Sequence, residues 1–563
     1  MSMATSTPPR IVRQFRQIVV WPVQLIPIKA GAPVQRHWEA LDRIQVNNPW
    51  QHWHGKFDIG AEEFRERHYK EFVTFLPFVQ RFLYGSPAGQ EGGHFGESSI
   101  RVYRRSDVAH ARLTFADGFV HEFAVHRCDL YFFHDADVMV VVLEVSADDL
   151  PLERVQDVLF RFARAYPAFW DEDGQPGNCM RQVAWLDQQR RVLAVSDYEQ
   201  RQRYLDHVAR YRTPCLASHW SWLIEPLGLE HPGQTAPLRY RQLEYYRMPF
   251  MAYLALDDPH ALTRADFVRL AIVTRPGAPE EFEYSEESLR NFEADYCDDR
   301  FWGRGGVRAS GETRLICTGR TIAMVGQHDN AFFCGRETGV LGQFRHQYFL
   351  LFLIAHFNKA TLLSISDELA VAMDRLRVGD TESVKAFKRT IRQSMEVFLR
   401  FTHRYWFHTV SNQEQARGLF RRLCEQLHNY ELYDEVRTEV MDMSNYLDTD
   451  SIRRQANTVL RLTVVTIFGL IGTIVTGFLG MNLLAEADAS LTRRTVLFLL
   501  VLGATAVVTS FTIVKSKRLA DFIDALSDDR LSWKRKWGVW ERIWFTPRSR
   551  DGAPGEPRRE DYG

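Results

Sequence analysis

The sequence predicts an α+β membrane protein: a cytosolic α/β domain, then a long helical stalk continuous with the first of two C-terminal transmembrane helices. Three observations predict it. Residues 98–145 alternate apolar and polar positions, or carry β-branched residues, at strand spacing. From 411 to 480 no proline occurs, and apolar residues recur in steps of three and four. Two charge-free stretches, 462–479 and 495–514, each come close to the ~20 residues needed to cross a bilayer.

Composition bounds the rest. At 563 residues the chain exceeds what one core usually organises, so roughly two to four domains are expected. Seventy Lys+Arg against 71 Asp+Glu leave a net charge of −1, which argues against a general polyanion binder, and no nucleic-acid partner is expected. Hydrophobic residues at 45% and charged residues at 25% exclude global disorder. A mean hydropathy of −0.29 excludes a chain that is mostly membrane. The seven cysteines are scattered and form no C-x-x-C pair, so reduced core thiols are expected rather than disulfides or a zinc knuckle.

Near the N-terminus Arg10, Arg13 and Arg16 precede an apolar run over 18–28, and Ala30-Gly31-Ala32 looks like a cleavage triplet. Pro22, Gln24 and Pro27 break that run, and Pro33 follows the triplet, so it reads as an early strand or extended arm rather than a signal peptide. Strands are expected over 98–105, 110–115, 118–125, 129–133 and 138–145, with His134-Asp135-Ala136-Asp137 as a hairpin turn. Residues 151–166 switch to helical spacing, with Val155, Val158, Leu159 and Phe162 on one face. Further strands are expected over 245–256, 268–274 and 314–325, which completes an α/β domain over 1–340.

From there the pattern is helical. A cytosolic helical segment spans 341–410, apolar over 348–356 and amphipathic over 381–405. Ser411-Asn412 offers an N-cap to a stalk helix over 411–461. Its seam is Leu419, Leu423, Leu427, Tyr430, Tyr433, Val436, Val440, Met443 and Leu447, the kind of seam that associates with other helices. Transmembrane helix 1 occupies 462–482, an outer loop 483–494, transmembrane helix 2 495–514, and a basic, Trp-rich cytosolic tail 515–563. In that tail Trp533, Trp537, Trp540 and Trp544 share one helical face, as suits a helix lying on a membrane surface of anionic lipid. Arg453, Arg454 and Arg461 flank the first span and Lys515, Lys517 and Arg518 the second, against Arg493 and Arg494 between them, which places both termini in the cytosol.

One face of the first span carries Val459, Leu462/Thr463, Thr466, Gly469/Leu470, Thr473, Thr476/Gly477 and Gly480. Small and hydroxyl residues on one face serve ordinary helix packing in lipid as well as pore lining. At the outer end stands Gly480-Met481-Asn482. This tripeptide, at the end of the first of two C-terminal spans and after a long stalk, resembles the CorA family of magnesium channels. The resemblance covers roughly the last 150 residues well and the upstream region in general plan. It implies a homopentamer in a bacterial inner membrane, with membrane lipid, its own copies and divalent cations as partners. Gly480, Met481 and Asn482 would be the selectivity motif, and Asn457, Leu462, Thr466, Leu470, Thr473 and Gly477 the pore lining.

The chain departs from the family's pattern in places. Leu483-Leu484-Ala485-Glu486-Ala487-Asp488 replaces an aromatic and a proline-acid pair, the pore helix lacks a midway proline and is one residue longer, and the tail is long. These differences bear on selectivity and gating more than on the fold. The chemistry of the motif follows from its residues. Mg²⁺ holds its waters tightly and takes oxygen ligands, so neutral Asn482 amides could contact the hydrated ion without trapping it. Glu486 and Asp488 would concentrate cations at the mouth. A divalent ion gains about 4.6 kcal/mol across 100 mV, and no G-x-x-x-x-G-K-[ST] sequence suggests nucleotide coupling.

The expected function is therefore movement of Mg²⁺, or of Zn²⁺, Co²⁺ or Ni²⁺, down its electrochemical gradient. The alternative is a non-conducting, membrane-anchored sensor whose soluble region binds a ligand. No enzyme activity and no cofactor other than the ion itself are expected. Glu431, Glu435, Glu439 and Asp442 form an acidic stripe along the stalk, read either as a solvated face or as a regulatory Mg²⁺ site between subunits. His52-Trp53-His54, His134-Asp135-Ala136-Asp137 and Gly303-Arg304-Gly305-Gly306 read as structural or turn segments rather than ligand sites.

Overall fold

The structure, a computed structural model, describes residues 10–26, 36–44, 48–54, 57, 64–85, 98–231, 236–244, 247–277, 282, 284–303, 312–377, 380–480, 490–496, 498–501, 503–507 and 511. It shows a mixed α+β protein of two compact units, Met1–Asp442 and Met443–Gly563.

Fourteen strands of the first unit form one sheet. Six come early: β1 (Ile11–Leu25), β2 (Trp50–His52), β3 (Ile100–Arg105), β4 (His110–Thr114), β5 (Val120–Phe133) and β6 (Val138–Pro151). Then follow β7 (Gln182–Leu186), β8 (Val192–Val195), β9 (Leu227–Leu229), β10 (Leu238–Gln242) and β11 (Phe250–Leu256). The last are β12 (Cys297–Phe301), β13 (Thr313–Cys317) and β14 (Thr321–Gln327). The order is β12-β13-β14-β11-β1-β6-β5-β4-β7-β8, with β10 also on β1, β9 on β10, β3 on β5 and β2 on β3.

The early apolar run is the middle of this sheet. β1 pairs antiparallel with β6 from Ile11↔Pro151 to Gln24↔Val138, and with β11 from Val12↔Leu256 to Val19↔Phe250. Pro22 fits because of where the neighbours stop. The Val20 amide donates to Pro249 on the β11 side, and the Pro22 nitrogen, two residues on, faces the same side. There β11 has ended at Val19 and β10 begins only at Val23, so the missing N–H breaks no ladder bond.

Both faces of the central strands are buried. On one, Trp21, Phe162, Trp185 and Trp220 contact one another edge-on or tilted at ring separations of 5.6–6.3 Å. On the other lies the Gln347–Asp374 helix, with Phe357 stacked on Phe133 at 4.0 Å. The Val340–Asp374 stretch is the one described helix long and apolar enough to cross a membrane, with a mean hydropathy of 1.5, and 83% of its most apolar window is buried within the protein. An all-round apolar helix of this kind finds its cover here on β1 and β6. The helices from Val340 to Arg404 share one compact unit with the sheet.

The hairpin turn falls where expected, with Asp135 in the left-handed region at φ 59°. Asp135 accepts from Arg400 and Arg404, and His37 bonds Asp137 at 2.6 Å, so the acids of this turn are structural. His52 and His54 bond each other at 3.0 Å. The expected helix after 151 is Leu152–Arg161; Val155, Val158 and Leu159 on it, and Phe162 at its C-cap, are buried. All seven cysteines are free. Residues 304–306 of the glycine turn lie outside the described residues.

Two expectations are corrected. Residues 268–274 are not a strand: Arg264–Ala271 is a helix, started by a capping box in which Thr263 and Asp266 satisfy each other's backbone amides. Nor is the stalk one rod from 411. It is two helices, Glu414–Gln426 and Asn429–Gly480, separated at His428, whose φ of 56° ends the first. Asn429 restarts the helix with its side-chain amide on the Ala355 carbonyl at 3.0 Å. The break turns the seam onto this chain's own helices. Leu419, Leu423, Leu427, Val436 and Val440 are buried, and Trp406 stacks on Tyr433 at 4.5 Å.

Candidate functional site

The Asn429–Gly480 helix fixes the geometry of the expected pore residues. At about 100° per residue, Leu462, Thr466, Leu470, Thr473, Gly477 and Gly480 fall within an arc of about 80°. By the same count Val459 falls on the stripe as well. Asn457 belongs to the helix backbone only, its side chain lying outside the described residues.

The stripe is open. Val459, Leu462 and Leu470 are 62%, 65% and 60% exposed, and a Cβ on Gly477 would meet nothing within 4 Å. The opposite side is packed: Val464, about 160° from the stripe's centre by helical count, is fully buried. Gly472, about 120° from that centre, faces Thr505, whose Cγ2 would stand 3.3 Å from a Cβ at 472. The second apolar stretch, helical over 491–496, 498–501 and 503–507, thus touches a flank of the first helix, and its described residues leave the stripe uncovered. That second helix exposes Leu491, Val496, Phe498, Leu499, Leu500 and Val507.

The threonines of the stripe have their protons occupied. Thr466 Oγ1 donates to the Leu462 carbonyl at 2.8 Å and Thr473 Oγ1 to the Gly469 carbonyl at 2.9 Å. Each hydroxyl oxygen keeps lone pairs that can accept from the waters of a hydrated cation. Met481, Asn482, Glu486 and Asp488, and the tail tryptophans, lie outside the described residues.

Along the stalk, Glu431, Glu435 and Asp442 are exposed, and Glu439 accepts from Ser366 Oγ at 3.1 Å. Among the described residues, no group of three or more His, Cys, Asp or Glu could hold a metal ion.

Sequence reasoning missed the charged centre of the sheet. Glu144, fully buried on β6, meets Arg16 of β1 at 3.1 Å, Arg127 of β5 at 3.0 Å and Arg345 at 2.7 Å. Burial alone would raise its pKa, but Arg127, Arg345 and Arg16 outweigh that and hold it at about 2. The partners stand 128 and 201 residues away in the cases of Arg16 and Arg345, so no local pattern marks the cluster. Elsewhere in the same unit, burial lowers His356 to about 4 and His219 to about 3, so both are neutral core histidines.

No protein-family model matches the chain, and no curated protein matches it.

Proposed function

We propose that the chain is a CorA-like divalent-cation channel, moving Mg²⁺, or Zn²⁺, Co²⁺ or Ni²⁺, as a homopentamer in a bacterial inner membrane. One observation carries the reading. The first helix of the C-terminal hairpin keeps an open stripe of alternating apolar and hydroxyl positions on the side away from its packed flank. Five copies of that stripe would enclose a path in which Thr466 and Thr473 meet hydrated ions while Leu462 and Leu470 narrow it. The described helix reaches Gly480, next in the chain to Met481-Asn482, and a ring of Asn482 amides would stand at the outer mouth. Glu486 and Asp488 follow in the loop as cation-attracting charges. A regulatory ion on Glu431, Glu435, Glu439 and Asp442 would sit between subunits, since each copy alone leaves three of these carboxylates exposed.

A second reading, a non-conducting membrane-anchored sensor, is favoured by a charged cavity in the first unit. Liposomes holding the purified protein separate the two. Saturable entry of Mg²⁺ that follows an imposed potential supports the channel, and liposomes as tight as protein-free ones support the sensor.

A further inference from the structure

We propose that the first unit binds a small organic monocarboxylate in a cavity beside the turn between β13 and β14. The cavity has a volume of about 470 Å³, within the range of small-molecule sites. Its wall, among the described residues, joins Arg241, Gln242, Arg320 and Lys359 to apolar residues that include Leu229 and Leu363.

The pairing within that wall points to the ligand. Arg241 is taken by Glu230 at 2.7 Å and by Asp367 at 2.5 Å, and Lys359 by Glu244 at 3.0 Å. Arg320 has no carboxylate within ion-pair distance among the described residues. It follows Gly319, whose φ of 75° forms the turn that presents it. In the same wall Gln242, the last residue of β10, has both side-chain polar atoms buried and, among the described residues, without a hydrogen-bond partner. A buried amide left in this way costs free energy unless a ligand completes it.

One guanidinium fork matches one carboxylate. The amide offers a further donor and acceptor to a neighbouring hydroxyl or carbonyl, and the apolar side receives a hydrocarbon or ring. Glu230 and Glu244 in the same wall disfavour a dianion such as phosphate.

The test uses the full-length protein in detergent, titrated calorimetrically with lactate and with benzoate at constant ionic strength, inorganic phosphate serving as the contrast. A saturable signal with at least one carboxylate at millimolar concentration is expected. Arg320→Ala should weaken it tenfold or more, and Arg320→Lys less. Gln242→Leu should weaken binding while leaving the ligand-free melting temperature unchanged or higher, which a structural hydrogen bond would not do. Three results would overturn the proposal: no saturable signal with either carboxylate, phosphate binding tighter than both, or unchanged affinity in Arg320→Ala and Gln242→Leu. The binding signal does not depend on ion conduction, so a sealed pore would leave it in place.

Discussion

Gly472 on the first helix of the C-terminal hairpin packs so closely against Thr505 on the second that a methyl group at 472 would stand 3.3 Å from Thr505 Cγ2. This contact sets which side of the first helix is covered. Replacing Gly472 with Ala needs a shift of a few tenths of an ångström. Leu at 472 overpacks the pair, at a cost of about 1–3 kcal/mol. Gly472→Leu should therefore lower the melting temperature of the detergent-solubilised protein, with Gly472→Ala close to wild type. Equal melting for both variants would show that the helices do not pack at this point.

Glu144 neutralises part of a buried cluster that ties β1, β5 and β6 to the Val340–Arg345 helix. Glu144→Gln leaves three guanidiniums without their carboxylate, and should destabilise the first unit by about 3–5 kcal/mol. The pH dependence has a definite sign. A carboxyl held at about 2, from an ordinary 4.5, contributes stability that is complete above pH 4.5 and lost as pH falls towards 2. His356 and His219 act earlier. Their depressed pKa values mean that the unfolded chain binds protons first, so stability declines as pH falls from 6.5 towards 4 for His356 and towards 3 for His219. Acid titrations of unfolding should show both windows in the wild type and only the upper one in Glu144→Gln.

Glu368 behaves in the opposite sense. Burial, followed by the nearby Asp137 charge, raises it to about 7. Its folded pKa lies above its unfolded value, so its contribution is complete below pH 4.5 and lost as pH rises through 7. Glu368→Gln keeps an acceptor for Ser394 Oγ, which lies at 3.3 Å, and removes the ionisation. The variant should melt higher than wild type at pH 8 and about equally at pH 4.5. A wild-type pH slope in this variant would contradict the assignment.

Much of this architecture is legible in the sequence, and the misses have physical causes. The 98–145 strands show because each alternates on a half-exposed face or carries β-branched runs. The central role of β1 does not, because Pro22 reads as a break until β10 and β11 are known to leave a gap beside it. Residues 268–274 look like a strand from Val268, Ile272, Val273 and Thr274, yet Thr263-x-x-Asp266 just before them is a helix-start signal that outweighs β-propensity. The break at His428 carries neither glycine nor proline, so only the packing around it reveals it. The stripe on the first apolar helix was readable from steps of three and four. The Glu144 cluster and the Arg320 cavity are assembled from distant strands and could not be read locally.

The acidic stripe offers a test of regulation. Carboxylates four apart repel by a few tenths of a kcal/mol per pair, so Glu431→Gln, Glu435→Gln, Glu439→Gln and Asp442→Asn together should stabilise the helix slightly. If these carboxylates hold a regulatory ion between subunits, the quadruple variant should conduct without inhibition by Mg²⁺ on the cytosolic side. Inhibition at the wild-type concentration would place the sensor elsewhere.

The central claim is that the hairpin conducts divalent cations past a ring of Asn482 amides. It is tested most directly by Mg²⁺ flux into liposomes containing Asn482→Ala, with the oligomer checked by crosslinking. The account predicts an intact oligomer in which divalent flux is abolished or strongly reduced. Wild-type flux with unchanged ion preference in that variant would contradict it.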